Sequence, residues 1–163
     1  MTISEMLLPE FDAEARTTRT FLERVPMERA DWKPHEKSAA LGQLANHIAN
    51  MPSFGTMTLS TPGVDVMSRP RPPRATTREE LLANFDASAS GFRAALAGAS
   101  DDDLAQAWRM TRGEQIIREL PRWRMLRGGV LSHMIHHRGQ LGVYLRLLDV
   151  PVPSAYGPTA DEP

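Results

Sequence analysis

The sequence predicts a single all-α domain built from four helices. In four segments of the chain, apolar residues recur at intervals of three and four positions, which is the periodicity of a helix that buries one face. Connections rich in proline, glycine or charged residues separate these segments. The length of 163 residues is typical of one domain with a single hydrophobic core, so we assign residues 1–163 to one domain.

The first predicted helix covers Ile3 to Val25 and ends before Pro26. Its apolar positions are Leu7, Phe11, Ala15, Leu22 and Val25. A polar connection follows over residues 30–37, where Pro34 disfavours helical geometry in the residue before it. We expect Trp32 to anchor this connection.

The second predicted helix has Ser38 as its N-cap, and it carries one of the five histidines, His47. His47 lies near the edge of the apolar stripe of this helix. The stripe consists of Leu41, Leu44, Ile48 and Met51. Pro52 has no backbone N–H to donate to the carbonyl of Ile48, so we expect the helix to kink or restart one turn beyond His47.

Residues 60–75 predict an extended segment that crosses between the second and third helices. Its composition disfavours both helix and strand, because it contains Pro62, Pro70, Pro72, Pro73, Arg69, Arg71 and Arg74. Thr76 then suits the N-cap of the third helix, with Glu79 completing a capping box. Gly98 is a natural end for this helix.

The remaining chain predicts a short helix followed by the longest one. Ser100 and the aspartates after it can cap a short helix that reaches Ala107. For residues 108–120 two interpretations stay open, a short extended excursion or irregular structure. Pro121 suits the first turn of the last helix, which we extend to about Leu148.

The last helix is apolar on two sides, which is typical of a central or dimer-forming helix. The first side carries Leu126, Val130, Tyr144 and Leu148. The second side carries Leu131, Met134, Ile135 and Leu145. We therefore predict a homodimer.

Three of the five histidines lie within five consecutive positions of this last helix. His133 and His137 are four residues apart, so their imidazoles lie on one helix face and can reach the same ion. His47 is the best candidate for a third ligand, and three imidazoles would leave a coordination position open, as in catalytic zinc sites. The alternative is that these histidines lie at the edge of the core and satisfy their nitrogens through ordinary hydrogen bonds.

Residues near these histidines have less specific interpretations. His136 points away from the face of His137 and is predicted to support the site or to lie at the surface. Gln140 could orient a ligand imidazole or a bound water, or line the polar edge of the core. Arg138 is predicted to be a surface or interface cation rather than an anion clamp. Glu10 and Glu14 are the acid–base candidates of the first helix, but we interpret both mainly as solvated charges.

Composition and missing motifs exclude several function classes. With no cysteine in the chain, any metal must be held by imidazole, carboxylate and water. A net charge of −1 gives no electrostatic basis for binding nucleic acid or an anionic membrane. Met134 stands where the metalloprotease motif H-E-x-x-H requires glutamate, and the serine-hydrolase, Walker and Rossmann motifs do not occur. The charged first twenty residues are unlike a secretory signal, and no run approaches about 18 apolar residues, so we expect a cytoplasmic protein.

Three stretches of the sequence resemble the DinB/YfiT-like metalloenzymes. They are Leu41–Ile48, His133–Arg146 and the ending Val150–Pro158. The resemblance covers nearly the whole chain and implies a four-helix bundle, often dimeric. It also implies a divalent metal bound by one histidine of the second helix and two of the last helix, which are His47, His133 and His137 here. His136 and Arg138 match motif positions that are not ligands.

The resemblance also implies a class of activity. Characterised members include thiol-dependent S-transferases and isomerases that use low-molecular-weight thiols such as mycothiol or bacillithiol. We therefore predict a metal-dependent transferase or hydrolase that activates a thiol or water for a small-molecule substrate, with zinc, nickel or iron as the metal. The alternative is a non-catalytic, stress-related binding protein in which the metal is structural or absent.

Overall fold

Helices form most of the computed structural model, which describes residues 1–69, 72 and 74–163. The helices are α1 (Ile3–Glu23), α2 (Leu41–Ser60), α3 (Arg78–Ala97), α4 (Asp101–Ala105), α5 (Arg122–Leu126) and α6 (His133–Leu147). A π-helical turn over Arg127–Ser132 joins α5 to α6. None of the helices in the described ranges has an apolar stretch long enough to cross a membrane.

A small three-stranded sheet accompanies the helices, so the prediction of a purely all-α fold is not confirmed. Its strands are β1 (Gly63–Asp65), β2 (Ala107–Arg112) and β3 (Gln115–Pro121). Strand β2 is central, parallel to β1 and antiparallel to β3. Residues 108–120, for which the sequence left two interpretations open, form most of the β2–β3 hairpin. Gly113, with a φ of 57°, supplies the left-handed turn conformation that this hairpin needs.

The crossing segment between α2 and α3 is partly a strand, because β1 pairs Gly63 with Arg109 and Asp65 with Thr111. Pro70, Arg71 and Pro73, also predicted to be extended, lie outside the described residues. The end of the segment is fixed to α2 by Asn46: the Ala75 N–H donates to Asn46 Oδ1 at 2.7 Å, and Asn46 Nδ2 donates to the Ala75 carbonyl at 3.2 Å.

Helix α2 begins at Leu41 after Ala40, and not after Ser38 as predicted. The preceding connection already satisfies the first backbone donors of the helix. Leu41 N–H donates to the Trp32 carbonyl at 2.9 Å, and Gly42 N–H donates to the Ala30 carbonyl at 2.8 Å. A side-chain cap at Ser38 is therefore not needed.

Two other helix predictions need correction. Helix α2 continues through Pro52 to Ser60, so the helix does not restart at that proline. The N-cap of α3 is Thr77, which forms a capping box with Glu80, one residue later than the predicted pair of Thr76 and Glu79. Thr76 still takes part, since its hydroxyl lies 3.0 Å from a Glu80 carboxylate oxygen.

The predicted last helix is interrupted by the π-helical turn. Each π turn takes up more residues than an α turn, so a regular helical wheel does not hold across Arg127–Ser132. Leu131, Met134 and Leu145 of the predicted second apolar side are buried within the single chain. The prediction of a homodimer therefore loses most of the surface on which it was based.

The hydrophobic core lies between α1, α2, α3 and the last helical segment. Phe11 of α1 and Phe92 of α3 meet edge to face, with ring centroids 4.7 Å apart. Gly55 lets α2 approach α3, because a Cβ atom there would lie 2.5 Å from the Phe92 ring. Trp32 packs edge to face on Tyr144 at 5.7 Å, which fits the anchoring role predicted for it.

Candidate metal centre

Helices α2 and α6 bring His47, His133 and His137 together at one end of the core. One ring nitrogen from each histidine lies within 4.8 Å of the others. The ring centroid of His47 lies 5.2 Å from that of His133 and 4.7 Å from that of His137. Within the described part of the chain, no further histidine, aspartate or glutamate joins this group. The three candidate ligands predicted from the sequence are thus neighbours in space, and ligation by them stays a prediction.

The spacing of these nitrogens fits a first-row divalent ion. Zinc–imidazole bonds of about 2.0–2.1 Å place two ligand nitrogens roughly 2.9 Å apart at a right angle and roughly 3.4 Å apart in a tetrahedron. His133 Nε2 and His137 Nε2 lie 2.9 Å apart. Small adjustments of the His47 ring would complete a three-imidazole site.

Hydrogen bonds to the other ring nitrogens orient two of the imidazoles. His137 Nδ1 lies 2.6 Å from Gln140 Oε1, which is one of the roles that the sequence left open for Gln140. The His133 ring hydrogen bonds to the backbone of Gly129 in the π-helical turn. A neutral imidazole has one N–H. When His137 donates its N–H to Gln140 and His133 donates its N–H to Gly129, the Nε2 atoms of both rings carry lone pairs, and these two atoms lie 2.9 Å apart. A cation between them removes that repulsion, which is the arrangement found around metal-bound histidines.

The surroundings of His47 and His133 favour the neutral form of the ring, which is the form that can bind metal. Although part of the His47 side chain is exposed, desolvation of its ring by the surrounding protein, followed by the nearby charges of His137, His133 and Arg69, lowers the pKa of His47 from 6.5 to about 4. The pKa of His133 is also lowered, chiefly by burial. Because neutral imidazole is the ligand and imidazolium is not, His47 and His133 need lose no proton to bind an ion at neutral pH.

The site opens into a cavity of about 650 Å³ that His47 and His133 line. His47 is exposed, whereas His133 and His137 are half-buried. The apolar part of the lining is formed by Met51, Phe54, Val66, Met110, Ile117 and Met125. Its charged part is formed by Arg69, Arg74 and Arg118, with no carboxylate among the described lining residues. An ion held by the histidines would therefore be accessible to a small molecule.

The sequence model of the DinB family matches residues 1–163. This chain belongs to the DinB family. Its fold resembles that of a DinB-like protein from Bacillus cereus, with a TM-score of 0.71 at 23% identity over 93% of this chain and 97% of the other. A DinB-like protein from Bacillus subtilis gives a TM-score of 0.70 at 18% identity over 92% and 96% of the two chains. No curated protein matches this sequence significantly.

His136 lies at the periphery of this DinB-family site, as the sequence predicted. Its ring is exposed, and its centroid is 5.0 Å from that of His137. The same helix therefore directs His133 and His137 toward α2 and leaves His136 outside the group.

The prediction for Arg138 as a surface or interface cation is wrong. Its side chain is 2% exposed and forms an ion pair with Glu14 of α1, with Nη1 and Oε2 2.7 Å apart. Glu14, predicted to be solvated, is buried by the same contact. The Tyr156 hydroxyl lies 2.8 Å from Arg138 Nη2 and donates to Glu14, which attaches the C-terminal segment to the helices.

Three residues near the site were not identified from the sequence. The backbone of Gly129, in the π-helical turn, contacts the His133 ring, and the side chain of Asn46 holds the backbone at Ala75. Both contacts depend on the fold. Arg69 was noted only as part of an arginine- and proline-rich segment, and the cavity is what brings it near His47. A signal for Asn46 did exist, because it is a polar residue within the largely buried run of α2.

Proposed function

We propose that this DinB-family protein is a metal-dependent enzyme, a transferase or hydrolase that activates a thiol or water as a nucleophile. His47, His133 and His137 would hold the divalent ion, and the cavity would receive a small-molecule substrate. A bound divalent ion would lower the pKa of a thiol or water placed on it.

The observation that carries this proposal is an open group of three imidazoles. Structural zinc sites are closed by four protein ligands, whereas catalytic sites leave a position for water or substrate. Here three nitrogens converge without a fourth protein ligand in the described residues, and His47 and His133 face a cavity of about 650 Å³. The alternative of a structural metal would require a closed site and gains no support from this arrangement.

The chemistry of the cavity favours a thiol over water as the nucleophile. Among the lining residues that the structure describes, no carboxylate or additional histidine is available as a general base. The proton of the nucleophile must then leave to solvent through the open side. A thiol, with an ordinary pKa of about 8.5, needs a much smaller shift than water at about 15.7 to ionise near pH 7.

Zinc, nickel and iron are the metals that we propose for this site. Imidazole binds all three, and the chain has no cysteine to favour a softer ion. The orientation of His137 by Gln140 and of His133 by Gly129 would be kept with any of them.

The first test is the metal content of protein purified without a histidine tag. We expect wild-type protein to hold close to one ion per chain by elemental analysis, and H47A, H133A and H137A to lose it. H35A and H136A are matched controls that should keep the ion, since both histidines lie outside the group. Full stoichiometric metal in the H47A/H133A/H137A triple variant would refute the assignment. A screen for transfer of low-molecular-weight thiols would follow on the loaded protein.

Several wider predictions remain proposals. A homodimer, a cytoplasmic location and the absence of nucleic-acid partners follow from the sequence. For the dimer, the remaining support is the outer face of α6, where Val143 and Leu147 are 58% and 57% exposed. These two side chains are one helical turn apart and form an apolar strip that a second copy could cover.

A further inference from the structure

The cavity beside the three histidines has an unusual distribution of charge. Its volume of about 650 Å³ lies within the range typical of small-molecule sites. Three arginines line it, Arg69, Arg74 and Arg118, and no carboxylate does so in the described part of the chain. The whole chain carries a net charge of −1, so this positive lining is a local feature. Clefts lined by charges of one sign concentrate ligands of the opposite sign.

Arg69 is the arginine best placed to contact a ligand. It is half-buried, and its Cζ atom lies 5.4 Å from the centroid of the Phe54 ring, a stacking distance for a guanidinium. It makes no hydrogen bond or ion pair with any residue that the structure describes. Its guanidinium lines the same cavity as His47 and His133. Burial lowers the pKa of Arg69, and its charge contributes to the lowered pKa of His47.

A partly desolvated guanidinium that has no hydrogen-bond partner among the described residues is well suited to a planar anion. Arginine presents paired N–H donors that match the two oxygens of a carboxylate. The Arg69 guanidinium lies over the Phe54 ring, and both side chains line the cavity that would receive the anion. Arg74 and Arg118 are exposed, so their main effect would be to attract the anion rather than to hold it.

The rest of the lining is suited to an apolar group. Met51 and Met125 are buried core residues whose side chains also reach the cavity, and thioether side chains adapt to ligands of different shape. Phe54 contributes an aromatic surface between them and Arg69. The ligand would thus have a negative end near Arg69 and an apolar body against these residues.

We propose that the cavity binds an organic carboxylate with an apolar body, with its carboxylate on Arg69. This inference rests on the proposed function, because it assigns the substrate class of the same site. The binding surface itself is formed by side chains of this chain, so it can be tested in the absence of metal.

The test compares two probes that differ only at the charged end, 4-phenylbutyrate and 4-phenylbutanol. Their dissociation constants are measured by calorimetry or by chemical-shift titration with metal-free and zinc-loaded full-length protein. We expect metal-free wild-type protein to bind the carboxylate at least about tenfold more tightly than the alcohol, because a hydrogen bond to a charged group is worth about that factor.

The R69Q variant should weaken carboxylate binding about tenfold and leave alcohol binding unchanged. R16Q is the matched control, since Arg16 is an exposed residue of α1 outside the cavity and the change in net charge is the same. Circular dichroism and thermal unfolding of both variants verify that they are folded.

Equal binding of the two probes by the wild-type protein, or an unchanged ratio in R69Q, would overturn the proposal and leave Arg69 as a residue that only packs on Phe54. The metal assignment fails separately. Protein that takes up no metal but prefers the carboxylate through Arg69 would contradict the proposed enzyme and support the anion site. Protein that takes up metal but shows no such preference would support the metal site and contradict the anion site.

Discussion

At the scale of single residues, the candidate site depends on how the surroundings of each imidazole set its protonation and direction. Gln140 and Gly129 accept hydrogen bonds from His137 and His133, and both contacts leave a nitrogen free for an ion. His47 has no such fixed acceptor in the described structure, and desolvation of its ring by the surrounding protein makes protonation unfavourable. The protonation of His47 therefore affects the free energy of unfolding of the metal-free protein.

We expect the free energy of unfolding of metal-free protein to fall as the pH is lowered from about 6.5 to about 4. The ordinary pKa of His47 is 6.5 and its pKa in the fold is about 4, so between these values the unfolded chain binds a proton that the folded chain does not. Below pH 4 the contribution is fully lost, and above pH 6.5 it is fully present. Urea unfolding followed by circular dichroism at several pH values measures this slope.

The H47Q variant should flatten the slope, because glutamine does not titrate. H35Q is the control, since His35 lies in an exposed loop, and it should keep the wild-type slope. An identical pH dependence in H47Q and wild-type protein would rule out His47 as its source.

At the scale of secondary-structure elements, a buried polar cluster joins α1, α6 and the C-terminal segment. Arg138 lies in the same buried stripe of α6 as Met134, Leu141 and Leu145, so burial of its guanidinium follows from the packing of the helix. Glu14 of α1 compensates that charge, with Tyr156 bridging the pair. Replacing both residues of such a pair with apolar residues changes the free energy of unfolding little, whereas removing only one of the two destabilises the protein strongly.

We expect E14A to destabilise the protein by about 3 kcal/mol, because it leaves the buried Arg138 charge without its partner. Denaturant unfolding gives the value. E10A is the matched control. Glu10 lies on α1, as Glu14 does, and pairs with Arg127 of the π-helical turn, but both side chains are partly exposed, so a loss of about 0.5 kcal/mol is expected. Equal effects of the two substitutions would show that the buried pair has no special role.

At the scale of the whole molecule, the remaining question is how two copies would meet. The apolar residues Leu131, Met134 and Leu145 are used inside the chain, whereas Val143 and Leu147 remain exposed on α6. If this strip forms the interface, it places the two α6 helices against each other through the side of α6 that lies away from its buried residues.

Light scattering at micromolar concentration should give twice the chain mass of 18.1 kDa for the wild-type protein. V143K/L147K should give the single-chain mass, since two lysines cannot be buried in an apolar contact without cost. M6K, at another exposed apolar side chain, should stay dimeric. A monomeric wild-type protein would contradict the dimer.

The sequence by itself determined the four long helical segments, the three candidate ligands and the exclusion of thiolate chemistry. These features follow from local periodicity, from the spacing of His133 and His137, and from composition. The resemblance to one family then implied the same three ligands, including His47 of α2, and the structure brings these three residues together.

Only the tertiary structure decided the sheet, the helix starts, the burial of Arg138 and the character of the cavity. The three residues of β1 pair with β2 more than forty positions later, and no local pattern specifies such a partner. Helix α2 starts at Leu41 because Trp32 and Ala30 supply acceptors from a different element. Arg69 acquires its place in the cavity that His47 also lines in the same way, through contacts that form between distant parts of the chain, and local propensity carries no information about them.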